Sequence, residues 1–238
     1  MKLILLVTLL SFSLFAFCDS NAQKLVESYK SIKACKDNYI IMRNGKKLLY
    51  DDGLQKSFNE LLNYADIEDM FTFKYPKYFT TKLPKNYDPG RIRNEKLFKE
   101  LYGHNKNEVK KHLRTIEWIN GRKIRVTRRN GVDKALEKVV RDLKKLPKSY
   151  QKYLWPIGGT FTWRKIAGTN RLSVHSFGAA IDINVKYSDY WRWSKNKTFH
   201  NKIPKKIVEI FEKHGFIWGG KWYHYDTMHF EYRPEILK

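Results

Sequence analysis

Acidic residues are scarce in this chain. Against 47 lysines and arginines stand 24 aspartates and glutamates, a formal net charge of +23, and a field of that sign favours polyanionic partners. Long apolar runs are missing beyond the N-terminus, so no transmembrane helix is expected in the mature chain. Internal repeats and low-complexity tracts are absent as well. Cysteine is limited to Cys18 and Cys35. Hydrophobic residues, by contrast, make up 42% and aromatics 15% of the sequence, too much apolar surface for a disordered chain.

Met1-Lys2 followed by the apolar run from Leu3 to Phe17 has the charge and length of a secretory signal, too short to span a bilayer as a mature helix. Cleavage after Ala22 puts Ser20 and Ala22 at the small-residue positions, which makes residues 1–22 the expected signal peptide; cleavage after Cys18, with Ala16 at the other small position, is the alternative. Cys18 follows the apolar run as a lipidated cysteine would, but the bulky Phe17 departs from the residue that lipidation uses there. With cleavage after Ala22, Cys35 stands alone, no internal disulfide forms and the fold rests on its core. Lys2 and Asp19 cancel, so the mature chain keeps the full charge. The expected location is the periplasm or cell envelope.

The expected fold class is α+β: a small, mostly antiparallel sheet packed by helices over residues 81–238, preceded by an α/β extension over residues 23–80. Residues 23–34 suggest a short helix. Asn44-Gly45 within Tyr39–Tyr50 and Asn120-Gly121 within Arg114–Thr127 each predict a hairpin with a type I′ turn. Leu54–Tyr64 and Glu95–Tyr102 suggest helices, the second closed by Gly103, and residues 72–93, with three prolines, an irregular connector. Val132, Leu136, Val139, Val140 and Leu143 recur at helical spacing, and their natural partner is the sheet that carries the site described next. Thr160–Lys165 suggests a strand; Ile207, Ile210 and Phe211 mark another amphipathic helix between Pro204 and Gly215.

Two short stretches carry the chemistry: Ser173-Val174-His175-Ser176-Phe177-Gly178-Ala179-Ala180-Ile181-Asp182 and Asp226-Thr227-Met228-His229-Phe230-Glu231. From Ala179 to Val185 the residues alternate as a strand with one buried face requires, and Asp182 points away from the apolar side. Gly178 permits a close reversal that swings His175 back beside Asp182. Met228–Tyr232 also predicts a strand, with His229 and Glu231 on one face, so Glu231 is placed to orient an imidazole. Two histidines and one carboxylate are a ligand set that zinc accepts at a hydrolytic site, and a further carboxylate, Asp226 in the turn before His229, can serve as base. His224 is a further candidate to bond a carboxylate or intermediate. Tyr190, Trp191 and Trp193 leave the Asp182 strand near the cleft mouth, where they either grip a sugar or peptide or cover the sheet edge.

The pattern S-x-H-x-x-G-x-A-x-D followed by W-x-x-x-D-x-M-H-F-E resembles the zinc D-Ala-D-Ala carboxypeptidase and L-Ala-D-Glu endopeptidase family, which includes VanY- and VanX-like enzymes and phage endolysins. Asp88-Pro89-Gly90-Arg91-Ile92-Arg93 with Tyr102-Gly103 is similar to upstream elements of bacterial members. The resemblance implies that His175, Asp182 and His229 bind one zinc ion per chain, that Asp226 is the catalytic base, and that an arginine contacts the substrate. Arg164 is the closest match for that arginine, with Arg171 as the alternative. It also implies peptidoglycan stem peptides containing D-amino acids as substrates, cleaved by carboxypeptidase or endopeptidase action. The basic charge then points to anionic envelope polymers, and no nucleic acid is expected, since the lysines and arginines are scattered rather than grouped with a nucleic-acid-binding signature. The alternative is a secreted zinc module with an idle site that binds cell wall or other polyanions.

Overall fold

The computed structural model of the protein describes residues 18–79, 83–194 and 199–238. Most of the expected signal, residues 1–17, lies outside them, as do four residues of the polar run after Trp193. The described chain runs α1 (Ser20–Ser28), β1 (Ile32–Lys36), β2 (Tyr39–Met42), β3 (Lys47–Leu49), α2 (Phe58–Tyr64), α3 (Glu95–Tyr102), α4 (Lys106–Lys111), β4 (Leu113–Glu117), β5 (Lys123–Thr127), α5 (Val132–Leu143), α6 (Gln151–Leu154), β6 (Ala180–Asp182), α7 (Lys205–Lys213), β7 (Phe216–Trp218), β8 (His229–Tyr232) and α8 (Pro234–Leu237). Three small sheets, ordered β1-β2-β3, β4-β5 and β6-β8-β7, pair antiparallel throughout. The protein is thus α+β, as the pattern of elements predicts.

Turn chemistry accounts for one hairpin and half of the other. Between β4 and β5, Asn120 (φ 58°) and Gly121 (φ 72°) are both left-handed, as a type I′ turn demands. The register that follows sets Ile116 opposite Ile124 and buries both, with Trp118 and Val126, on one face. At the β2–β3 reversal only Gly45 is left-handed, and the Asn44 side chain accepts a bond from the Lys46 amide, so this loop is longer than a type I′ turn.

Helix α5 packs against the β4–β5 hairpin and α7, not chiefly against the sheet of the two motifs as the sequence suggests. The helix that lies on that sheet is α7, whose Phe211 ring stacks on Phe230 of β8 at 3.9 Å between centroids. Its Ile207, Val208 and Phe211 are fully buried, so α7 is the layer between α5 and the strands. The segment expected as a strand, Thr160–Lys165, forms none. Its backbone bonds instead to the turn that carries His175: Thr162 N–H donates to the His175 carbonyl at 3.2 Å and Arg164 N–H to the Ser176 hydroxyl at 2.9 Å. Isolated bridges, Gly159 with Asp182 and Lys165 with Leu172, flank it.

The N-terminal elements share one continuous core with the rest: Leu25, Ile32 and Ile40 belong with Leu136, Ile181 and Phe230. Tyr29 of the segment after α1 donates its hydroxyl to Glu235 of α8 at 2.6 Å. Asp19 caps α1 by accepting from the Asn21 and Ala22 amides, and Ala22 and Leu25 have no exposed surface. Cys18 is joined to Cys35 by a disulfide. That bridge corrects the expectation of a chain without internal disulfides, which rested on loss of Cys18 by cleavage after Ala22. Such a cut would also remove the Asp19 cap and the first turn of α1, so the bridge and that cleavage exclude each other. Closing a loop with a sequence separation of 17 stabilises by about 3 kcal/mol in the chain-entropy account. Cys35→Ser is expected to lower unfolding free energy by roughly that amount, and urea unfolding of both proteins checks it.

No helix among the described residues is long and apolar enough to cross a membrane.

Candidate metal centre

His175 sits in a single 3-10 turn, Val174–Phe177, capped by the Ser173 side chain and ended by Gly178 at φ 66°. A side chain at position 178 would meet Leu113 at 2.8 Å and the Thr127 backbone at 3.1 Å. Both the conformation and the close approach therefore require glycine there. This turn presses the imidazole inward, and His175 keeps only 3% of its surface exposed.

The other two members of the group come from paired strands. Asp182 on β6 lies directly across from His229 on β8, and Ala180 across from Glu231. Side chains opposite one another in a pair, and residues two apart on one strand, share a face. Asp182, His229 and Glu231 therefore rise on one side of the sheet, while Ile181 and Phe230 fill the core on the other. The Asp182 carboxylate comes within 2.9 Å of His229 Nδ1 and 3.1 Å of His175 Nε2, and the two nitrogens are 3.2 Å apart.

The outer nitrogens are also engaged. His175 Nδ1 lies 2.6 Å from the Thr160 carbonyl, which can only accept, so this nitrogen carries the proton and Nε2 is left with a lone pair. His229 Nε2 lies 2.9 Å from the Glu231 carboxylate, which by the same logic leaves the lone pair on Nδ1. Two imidazole lone pairs and a carboxylate thus converge on one point, an arrangement that calls for a cation. Without a metal, a proton serves: burial opposes it, but the Asp182 and Glu231 carboxylates raise the His229 pKa to about 10. Burial would raise the Asp182 carboxyl, yet the adjacent His175 and His229 hold it far below the usual carboxylate range. His175, Asp182 and His229 form a group able to hold a metal ion.

Glu231 has no exposed surface, and it is held by Arg93 at 3.4 Å and Arg233 at 3.2 Å. Despite burial, Arg93 and then His229 lower its pKa to about 2. It remains ionised at any working pH, which keeps the His229 proton on Nε2.

Asp226 lies in the turn entering β8, where its carbonyl accepts from the His229 amide at 3.1 Å and its own amide donates to Gly219 at 2.9 Å. Its Oδ1 is buried without a hydrogen-bond partner. Burial and then the nearby Asp182 charge raise its pKa to about 6. Asp226, the three converging residues, Arg164 and Arg171 all line one cleft of about 400 Å³. Arg164 is exposed on the rim, whereas Arg171 is half-buried in the wall. His224 turns to Asp88, with its ring Nδ1 and its amide both on that carboxylate, and does not line the cleft. Tyr190, Arg192 and Trp193 do line it, and Trp193 is 66% exposed.

Among the cleft residues without a role assigned from the sequence are Arg91 and Arg93, although both stand in the noted stretch Asp88–Arg93. The available signal was a doublet of arginines beside a turn; what it lacked was any local sign that the turn packs on the metal centre.

Two histidines, one carboxylate and a buried second acid around a single point make up a candidate hydrolytic metal centre. Residues 167–232 match the model of a peptidase family described as D-alanyl-D-alanine carboxypeptidase, which supports the resemblance carried by the two motifs. The matched segment contains His175, Asp182, Asp226 and His229, so the part of the chain that builds the site is similar to D-alanyl-D-alanine carboxypeptidases. No curated protein and no solved structure shows significant similarity to the chain.

Proposed function

We propose that the protein is an exported zinc peptidase that hydrolyses peptide bonds involving D-amino acids in peptidoglycan stem peptides. The observation that carries this reading is the convergence of His175 Nε2, His229 Nδ1 and Asp182 within 3.2 Å of one another, beside the buried, partnerless Oδ1 of Asp226. His175, Asp182 and His229 would hold one zinc ion, which when bound acidifies a water and polarises the scissile carbonyl. Asp226 takes the proton from the attacking water and returns it to the leaving amine. Thr160 and Glu231 keep both imidazoles in the tautomer that offers a lone pair inward. Arg164 on the cleft rim, with Arg171 in the wall as the alternative, contacts the substrate. The net charge of +23 suits retention on anionic envelope polymers, in the periplasm or cell envelope that the N-terminal signal indicates.

Mass analysis of muropeptides after incubation with the protein tests the reaction. Loss of one alanine marks a carboxypeptidase, and split stems or dimers mark an endopeptidase. No product under any metal condition, with wall binding retained, would turn the reading to an idle binding module.

Loading the site must expel a proton, because His229 with a pKa near 10 is protonated at neutral pH when no cation is present. The sign follows: below pH 10 the proton competes with the metal, so apparent metal affinity rises with pH up to about 10. Calorimetric titration of the metal-free protein at pH 7 in buffers of different ionisation enthalpy is expected to show release of about one proton per ion. Release of none would show that His229 is neutral before the metal binds and contradict its raised pKa.

A further inference from the structure

A second depression opens directly beside the cleft. It encloses about 850 Å³, within the roughly 300–1,000 Å³ typical of small-ligand sites, and the two share Arg93 and Arg171 as a common wall. The loop between Lys165 and Leu172 forms the divide: Ile166 and Ala167 line the cleft, while Gly168, Thr169 and Asn170 line the groove. Backbone bonds hold this loop in place, since Ile166 N–H donates to the Arg171 carbonyl at 2.9 Å and Leu172 N–H to the Glu95 carboxylate of α3 at 2.9 Å. The far side of the groove comes from the N-terminal elements, with Leu49 at the end of β3 and Tyr64 at the end of α2.

Two features say what the groove fits. Its charge is close to balanced: three acidic side chains line it against four basic ones, in a chain where bases outnumber acids 47 to 24. Most of these charges are already in ion pairs, Glu95 with Lys99 at 2.7 Å, Asp52 and Asp66 with Lys56 at 2.7 and 3.0 Å, and Arg93 with Glu231. Little field is left there to select a polyanion. The second feature is apolar surface at the rim. Tyr64 is 76% exposed and its side chain has no hydrogen-bond or ring partner among the described residues, and Leu49 beside it is exposed as well. A free aromatic face among the amides and hydroxyl of Asn63, Asn170 and Thr169 suits a sugar ring, whose C–H face packs on the aromatic while its edge bonds to polar groups.

We propose that this groove seats uncharged N-acetylated sugars of the glycan strand that carries the stem peptide, while the peptide itself enters the adjoining cleft. The inference rests on the peptidase reading for its consequence in turnover, but the binding of sugar stands without it. It gives the N-terminal elements a task beyond sharing the core, because Leu49 and Tyr64 supply the wall that faces the dividing loop. Both residues lie outside the segment that matches the family, so the groove is an addition to the part of the chain that builds the metal centre.

The test has a binding arm and a turnover arm. In the first, peptide-free oligomers of N-acetylglucosamine are titrated into the chelator-treated full chain. Wild type is expected to bind them with little dependence on salt, and Tyr64→Ala to weaken binding by about fivefold or more. Leu49→Ser weakens it in the same direction, and Tyr78→Ala, an equal loss of an exposed ring away from the groove, leaves it unchanged. In the second arm, one stem peptide is offered free and linked to its sugars. Wild type shows the lower KM for the linked form, and Tyr64→Ala raises that KM toward the value for the free peptide. No sugar binding by wild type, or binding indifferent to both Tyr64→Ala and Leu49→Ser, overturns the groove. Salt-sensitive binding of a poly(glycerol phosphate) that Tyr64→Ala abolishes, with no effect on the sugar oligomers, overturns it in favour of an anionic polymer. Sugar binding without any peptide turnover keeps the groove and sinks the peptidase reading; turnover indifferent to the sugars does the reverse.

Discussion

Asp226→Asn is expected to retain the metal and lower kcat by about 10³-fold, within the range that a positioned general acid or base contributes. Asparagine keeps the shape of the side chain and its backbone bonds, so the turn into β8 stays in place. What it removes is the oxygen that can receive a proton. Asp226 carries a buried Oδ1 with no hydrogen-bond partner, and a carboxylate left in that state is one whose partner arrives with the reaction. Burial and the Asp182 charge bring its pKa to about 6 in the absence of a cation. A metal ion beside it acts in the opposite sense and favours the ionised form. At neutral pH it is therefore available as a base, and activity is expected to fall on acidification through its pKa. Metal content and turnover measured on one preparation separate the cases. Full activity in the variant would remove Asp226 as base, and loss of the metal would make it a ligand instead.

His175→Ala is expected to lose the metal and, with it, all turnover above background. An outer-shell change costs roughly 10–100-fold in metal affinity, and removal of one of three protein ligands costs more. The fold is expected to survive, because the 3-10 turn is held by its own backbone: Ser176 N–H bonds to the Ser173 carbonyl at 2.9 Å and Gly178 N–H to the 175 carbonyl at 3.1 Å. Elemental analysis after dialysis provides the measurement, with thermal unfolding as the control for folding. One equivalent of metal retained in the variant would show that the ligand set is wrong.

The site was more legible in the sequence than the scaffold. Period-two alternation, expected from Ala179 to Val185 and from Met228 to Tyr232, correctly separates Asp182, His229 and Glu231 from the buried Ile181, Ile183 and Phe230, but it fails at Val185, which starts a 3-10 turn and is 39% exposed. The hairpin at Asn120-Gly121 is a local event, decided by two residues that tolerate positive φ. Where tertiary packing decides, the pattern is silent. The apolar stripe of α5 announces a buried face but not its partner, and a β-hairpin with α7 satisfies it as well as the strands of the site. Thr160–Lys165 has strand-like residues, yet its amides are taken by the His175 turn. Arg91 and Arg93 reach the cleft from far ahead in the chain through an irregular connector, which no periodicity can place. His224 has the right residue type and neighbourhood for the cleft, but the fully buried Asp88 claims it. The Cys18–Cys35 bridge is invisible to a sequence reading in which residues 1–22 leave as a signal, because Cys18 leaves with them.

The packing also ties the N-terminal segment to the centre in a way the extension reading left open. The three-stranded sheet and α1 are not an appendage with a separate core, since Leu25 and Ile40 pack in the same cluster as Ile181 and Phe230. Tyr29 bonds to Glu235, Glu235 to Arg233, and Arg233 to the Glu231 that orients His229. That chain of buried polar contacts runs from the N-terminal elements to the metal centre without an exposed member. A network of this kind is costly to leave half satisfied.

The most direct test of the central claim is turnover of purified muropeptides by one preparation of the protein, first stripped with chelator and then titrated with zinc. Activity that vanishes on stripping and returns in proportion to zinc, with a plateau at one ion per chain, is the predicted result. Undiminished hydrolysis by the stripped protein, or no hydrolysis after the site has taken up one equivalent of zinc, would contradict it.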